Sequence, residues 1–349
     1  MKTEEDSLIP TRSSGHAGGS VGAKGVNFAD GQPASLQRSL HLRAHLYQLI
    51  RHFFSERQVL EVETPILSAA GNTEPNIESF STLFHGHVDA GARERWLRTS
   101  PEFPLKRLLA AGVGDCYELG RVFRNGEAGG RHNPEFTMLE WYRVGWDHRQ
   151  LMQETIALVD RALAMVGRRA ETVVISYRQL FLDEFGIDPV RASIDELRTP
   201  LDEFGIDPQG LSHDDWLDLL ITHKVQPALP RDRVTVIHDY PATQCALAKI
   251  RPGEPPLAER FELYLGRHEL ANGYHELNDA AEQRRRFERD NATRRARGQR
   301  EVPLDHALLD VLGAMPDCAG VALGVERLLM CLADTDAIAD VLAFPFAQA

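Results

Sequence analysis

The sequence predicts an α+β domain with an antiparallel sheet flanked by helices, and three observations support this. Strand-like runs in the middle and last third of the chain are joined by glycine turns rather than by crossover helices. Stretches of helical periodicity lie at both ends. No G-x-G-x-x-G or P-loop lysine motif occurs, so the common parallel-sheet nucleotide cradles are missing.

Taken in order, residues 1–35 are rich in Gly, Ser, Ala and Asp and lack periodicity. They read as a disordered tail or a leftover of cloning. From residue 36 to 349 the chain reads as one domain. Leu42, Leu46, Leu49, Ile50, Phe53 and Phe54 fall at helical spacing. Val59 to Leu67 reads as a strand that Pro65 ends or bends. Residues 104–112, PLKRLLAAG, predict a short amphipathic helix with Pro at its start and Gly at its end. Cys116 to Arg124 and Phe136 to Arg143 predict an antiparallel strand pair, joined by a long loop that contains Gly126, Gly129 and Gly130. A helix follows over 148–166. Residues 176–230 read as a mostly helical insertion, with one octapeptide, LDEFGIDP, repeated at 182–189 and 201–208. Two copies do not make a solenoid. Strands return at Val234–His238, Phe261–Leu265 and, after a turn at Gly266, His268–His275. An arginine-rich helix spans 279–297. The chain closes with an apolar strand, Gly320–Leu323, then Gly324 and a helix from about Val325.

Composition narrows the function classes. Hydrophobic residues make up 43% and no apolar run reaches the roughly 18 residues of a membrane span, so wholesale disorder and a membrane-spanning chain are excluded. The net charge of −12 argues against broad nucleic-acid binding. Cys116, Cys245, Cys318 and Cys331 form no C-x-x-C pair and read as buried thiols. These sparse cysteines and an acidic N-terminus without an apolar segment predict a cytoplasmic protein.

Several constellations could carry chemistry. Side chains alternate along a strand, so Phe136, Met138, Glu140 and Tyr142 share one face. A carboxylate between aromatic groups suits an ammonium ion. Arg124, where the preceding strand enters the loop, suits a phosphate, because a guanidinium fork matches two oxygens. Each could equally be a surface ion-pairing residue. Gly320-Val321-Ala322-Leu323-Gly324-Val325-Glu326-Arg327 puts Arg327 in the first turn of a helix, where anions are favoured. Glu262, Glu269 and Glu276, with Asn272 and Gly273, could hold Mg²⁺ or a cationic substrate, or lie on a salt-bridged surface. His132, His268 and His275 show no metal-ligand spacing and read as solvated or hydrogen-bonded. The eight arginines between Arg284 and Arg300 form either a solvated helix face or a docking surface for an acidic partner.

Together these pieces resemble the class II aminoacyl-tRNA synthetase catalytic domain over about residues 36–349. Phe53–Leu67 with Pro65 resembles motif 1. Gly120-Arg121-Val122-Phe123-Arg124-Asn125, continued by Arg131–Tyr142, resembles motif 2, and Gly320–Arg327 resembles motif 3. The lysyl branch is indicated by Thr99-Ser100-Pro101-Glu102, by RHNPEFTMLEWY and by ELANGYHEL. Within that branch the chain is most similar to the elongation factor P lysine ligases, paralogues of lysyl-tRNA synthetase. The synthetases place an anticodon-binding OB-fold ahead of the catalytic domain, where this chain has about 35 low-complexity residues.

The resemblance implies activation of (R)-β-lysine with ATP and Mg²⁺, then transfer to a lysine ε-amine of elongation factor P. It also implies a homodimer formed through motif 1 and no need for tRNA. By the same resemblance, Arg124 and Arg327 are the catalytic phosphate contacts. Asn125, Gly126, Glu127, Asn133, Phe136, Glu269, Leu270 and Gly324 complete the ATP site. Glu262 and Glu269 are the metal carboxylates. Ser100, Pro101, Glu102, Glu140, Tyr142, Asn272, Glu276 and Ala322 form the amino-acid site. Two departures matter. Motif 2 usually reads Arg-Asn-Glu, whereas here Gly126 separates Asn125 from Glu127. Ala322 stands where lysyl-tRNA synthetases tend to have glycine; its methyl narrows the pocket and agrees with the ligases. The rival readings are a truncated synthetase that charges tRNA and a non-catalytic amino-acid-binding regulator.

Overall fold

The computed structural model describes the backbone of residues 32–349 and the side chains from Leu36 onward. The tail expected at 1–35 lies outside the described residues, apart from the start of the first helix, α1 (Gln32–Ser55). This helix buries Leu46, Ile50, Phe53 and Phe54 completely. Phe54 stacks on Tyr117 at 4.4 Å and meets Trp141 edge-on at 5.4 Å.

The expected strand over Val59–Leu67 is two short pieces in different sheets, β1 (Leu60–Glu61) and β2 (Leu67–Ser68). Pro65 lies between them and cannot donate to a ladder. With β3 (Ser81–Leu83) and β4 (Glu94–Leu97), β2 forms a small sheet of order β2-β4-β3 that the sequence did not announce. The helix expected over 104–112 is α2 (Glu102–Ala110), with Pro104 inside its first turn. Next come β5 (Cys116–Phe123), β6 (Glu135–Val144) and α3 (His148–Met165), close to their predicted bounds. Asp147 and Gln150 form a capping box on α3.

A strand missed in the sequence, β7 (Glu171–Ser176), leads into α4 (Tyr177–Phe185), α5 (Ile194–Arg198), α6 (His213–Leu220), a π turn and α7 (Gln226–Ala228). Then follow β8 (Arg233–Pro241), β9 (Ile250–Arg251), β10 (Leu257–Leu265), β11 (His268–His275), α8 (Ala280–Ala296), α9 (His306–Leu309), β12 (Cys318–Gly324) and α10 (Val325–Ala333). The two copies of LDEFGIDP close different helices, α4 and a 3₁₀ helix over Thr199–Phe204. Each stops at its glycine, Gly186 (φ 67°) or Gly205 (φ 59°), in the left-handed conformation that glycine adopts readily.

The main sheet runs β1-β5-β6-β12-β11-β10-β8-β7, with β9 alongside β10. It is mixed rather than wholly antiparallel. The inner pairs from β5 to β8 are antiparallel, but β1 joins β5 and β7 joins β8 in parallel. Parallel neighbours need a crossover of a dozen or more residues. The helical stretch expected as an insertion at 176–230 is that crossover between β7 and β8.

One face of the sheet carries Leu139, Trp141, Phe261, Leu263, Val321 and Leu323, all in one apolar core with α1, α3 and α10. Strand alternation therefore turns Glu140, Tyr142, Glu262 and Ala322 to the opposite face, where the cleft lies. Among the described residues, no helix is long and apolar enough to cross a membrane. All four cysteines are free and buried, as expected, and burial pushes the Cys116 thiol up to about 12.

The arginine-rich helix α8 is only partly a surface. Arg286 donates to the carbonyls of Ala246 (2.8 Å) and Ala248 (2.9 Å). Arg294, fully buried, donates to the carbonyls of Arg300 (2.7 Å) and Glu74 (3.2 Å) and pairs with Glu78. Arg294→Leu should destabilise the fold by about 3 kcal/mol, because buried acceptors lose their donors. Exposed Arg295→Leu should stay within about 0.5 kcal/mol of the parent in urea unfolding.

Candidate active site

Strand register assembles the floor of the cleft. Glu262 of β10 pairs with Asn272 of β11, Asn272 with Ala322 of β12, Ala322 with Glu140 of β6, and Glu140 with Glu118 of β5. The next row reads Arg260, Tyr274, Gly320, Tyr142, Cys116. Over these rows lies a cavity of about 240 Å³.

One end of the cavity is carboxylate-rich. Glu140 is 2% exposed and accepts from Ser100 Oγ at 2.6 Å and Tyr142 Oη at 2.7 Å. Burial, with the charge of Glu102 beside it, pushes its carboxyl up to about 8. Glu276 is 1% exposed, and burial pushes it up to about 7, Lys106 pulling it back. Its Oε2 lies 2.7 Å from Lys106 Nζ, an ion pair between two buried groups. Gly320 lets the group close up, since a Cβ there would fall 2.3 Å from the Tyr142 ring and 2.4 Å from Glu276 Oε1.

The other end is cationic. Arg124 lies 5.3 Å from the Phe136 ring centre, and its buried Nε has no partner. The loop beyond it carries the motif 2 departure. Gly126 takes φ 82° and does not line the cavity, whereas Glu127 turns back to within 3.7 Å of Arg124 and does. Arg327, in the first turn of α10, donates to the Glu269 carbonyl at 3.0 Å and to His132 Nε2 at 2.8 Å. Partial enclosure and the charge of Arg327 lower the His132 imidazole, which favours the neutral ring as the acceptor of that bond. Glu326 fixes this turn by accepting from Arg43 and from the Thr137 amide, both at 2.8 Å.

Most residues singled out in the sequence meet here. Arg124, Arg327, Ser100, Glu102, Glu140, Tyr142, Asn272, Glu276, Ala322, Glu127, Asn133, Phe136, Glu269, Leu270 and Gly324 line the cavity. Four stand back from it. Pro101 caps α2, Asn125 pairs with Glu78 through its backbone, Gly126 makes the turn, and Glu262 is held by Arg260 and Tyr264. Asn133 differs from expectation in another way. Its Oδ1 accepts from the Phe346 amide at 2.9 Å and its Nδ2 donates to the Glu135 carbonyl at 2.6 Å, so it also ties down the C-terminal segment.

For a metal, Glu269 is the accessible carboxylate and Glu262 lies behind it. Enclosure and the charge of Glu262 raise the Glu269 carboxyl, and Arg327, 3.5 Å from it, pulls it back. Among the described residues no group of three His, Cys, Asp or Glu side chains forms a metal cage. Mg²⁺ that is carried by phosphates needs only one or two carboxylates, so the donor set fits it. Lys106 and Tyr274 were missed. Lys106 follows Glu102 by four residues beside Leu105 and Leu109, so helical spacing on the apolar face was the available signal.

Comparison with known proteins agrees with this geometry. The family model described as tRNA synthetases class II (D, K and N) matches residues 26–348. A Vibrio cholerae protein named elongation factor P–(R)-β-lysine ligase is 44% identical over 92% of this chain and 99% of its own. A Yersinia enterocolitica protein of that name gives the same figures, and one from Salmonella typhi is 45% identical over 90% of this chain and 96% of its own. The chain belongs to the class II (D, K and N) tRNA synthetase family, on the branch of the elongation factor P–(R)-β-lysine ligases.

Proposed function

We propose that this chain uses ATP to activate (R)-β-lysine and passes it to the ε-amine of a lysine on elongation factor P. One observation carries the reading. A single cleft has at one end a guanidinium, that of Arg124, whose buried Nε has no partner, and at the other end three carboxylates, Glu102, Glu140 and Glu276, with one ammonium, Lys106, among them. A molecule with a charged phosphate junction and a distal ammonium satisfies both.

In the first step a carboxylate oxygen of the amino acid attacks the α-phosphorus. The bond to the bridging oxygen breaks and pyrophosphate leaves. In the second step the acceptor amine attacks the carbonyl carbon, AMP leaves with the bonding pair, and the amine loses its proton to solvent. Arg124 and Arg327 neutralise the phosphate charge, Phe136 supports the base, and Glu102, Glu140, Tyr142 and Glu276 orient the amines. Mg²⁺ arriving with ATP would add charge neutralisation, held by Glu269 with Glu262 behind it. The relatives' names support elongation factor P as partner. A homodimer and a cytoplasmic location belong to the same reading.

The test is the intact mass of elongation factor P after incubation with this protein and ATP, with α-lysine or (R)-β-lysine supplied in parallel. We expect one lysyl-sized gain, faster with the β isomer. No gain with either isomer would turn the reading toward tRNA charging or a binding role.

A further inference from the structure

The carboxylate end of the cleft already contains an ammonium, and it is the protein's own. Lys106 is 1% exposed, and its Nζ lies 2.5 Å from Glu102 Oε1 and 2.7 Å from Glu276 Oε2. Among the described residues no other cation comes within ion-pair distance of Glu102, Glu140 or Glu276. Glu140 is held by two hydroxyls, those of Ser100 and Tyr142, which bring no charge. When all are ionised, three carboxylates against one ammonium leave two negative charges, and the burial of Glu140 and Glu276 makes that excess costly until a cation arrives. A diamino acid brings two ammoniums, and a monoamino acid brings one.

We propose that Lys106 is a positioning and specificity-determining residue. It spaces Glu102 from Glu276 and sets the charge of the pocket so that a substrate with two ammonium groups neutralises it. This rests on the function proposed above.

The geometry explains why a lysine is needed. Two buried carboxylates facing one cavity repel, and without a cation between them one takes up a proton. A protonated carboxyl is a poor partner for an ammonium. Lys106 pairs with both and favours the ionised form of Glu276 without lining the cavity, because it enters from α2 at the side. Tyr142 and Tyr274 also face the group, from β6 and β11, with the Cys116 thiol from β5 and the Cys318 thiol from β12. Burial raises all four, so they stay neutral and cannot replace the charge. His275 stands behind Glu276, hydrogen-bonded to Glu259 and Asp317.

The experiment is amino-acid-dependent pyrophosphate exchange across pH 5.5–9 for the parent and Lys106→Met, with thermal unfolding alongside. We expect KM for (R)-β-lysine to rise at least tenfold, with KM for ATP within about twofold. The acid limb of kcat/KM should move up by about one pH unit, since a lost counter-charge raises the carboxylates that must be ionised. Adding Glu102→Gln to Lys106→Met restores two net negative charges, and the limb should return toward its parent position. If Lys106→Met unfolds early yet keeps its KM and acid limb, Lys106 is only structural and the proposal is overturned. An unmoved limb in the double variant relative to the single would overturn the charge argument as well. A parent protein with no exchange at all would sink the functional reading, and this inference with it.

Discussion

Glu140→Gln should remove at least about a hundredfold of amino-acid activation while leaving the empty protein as stable as the parent or more so. The two halves share one cause. Glu140 is buried, and its carboxyl is pushed up to about 8 from an ordinary value near 4.5. A raised carboxyl binds its proton more tightly in the folded state than in the unfolded one. Between the two values, a rise in pH therefore lowers stability, because folding must hold an ionised group out of water. Glutamine removes that penalty and can still meet Ser100 and Tyr142, whose hydroxyls turn to suit. It cannot meet an ammonium with a full charge. Losing one member of a buried ion pair costs about 3–5 kcal/mol, which is the basis for a hundredfold or more. Pyrophosphate exchange and calorimetric unfolding, both at pH 8, check the two halves. Near-parent exchange would remove Glu140 from the amine site, and a large fall in melting temperature would make its role structural.

Arg124→Ala should lower kcat for activation by about 10²–10³, the range for removing one preorganised donor from a transition state. The side chain is poised for this. Its Nε is buried without a partner, and its guanidinium is held by the Phe136 ring and by Glu127, neither of which satisfies that nitrogen. The fold should tolerate the change, since no backbone carbonyl depends on the side chain. Arg124→Lys should recover little, because a point charge cannot span two oxygens. Single-turnover adenylate formation at saturating ATP checks this, and a loss confined to KM for ATP would mean ground-state binding only.

The legible part of this site was local. Alternation along β6 placed Phe136, Met138, Glu140 and Tyr142 on one face, because side-chain direction in a strand depends only on position. Arg327 at a helix start was likewise a local pattern. Contacts set by partners distant in sequence were not legible. Nothing in the sequence aligns Asn272 and Ala322 beside Glu140; two strand registers do that. The burial of Arg286 and Arg294 hides in a run of arginines, because loops far along the chain supply their carbonyl partners. Glu262 carried the right residue type, but Arg260 and Tyr264 two positions away on its own strand draw it back from the cavity. At the sheet edges, β1 and β7 were unreadable as parallel strands, because pairing direction follows from the path between strands and not from their composition.

The row from Glu262 through Asn272, Ala322 and Glu140 to Glu118 has a consequence for how such a protein can change over generations. Each member is held opposite the next by one hydrogen-bonding register. Deleting a single residue in β6 upstream of Glu140 would swing Leu139 or Trp141 toward the cleft and turn the carboxylate into the apolar core. Along β6 and β12, whose pairing runs without a register shift, the strands can therefore drift by substitution more readily than by gain or loss of residues. Extra length is accommodated most easily in connections such as the crossover between β7 and β8, where one octapeptide occurs twice away from the cleft.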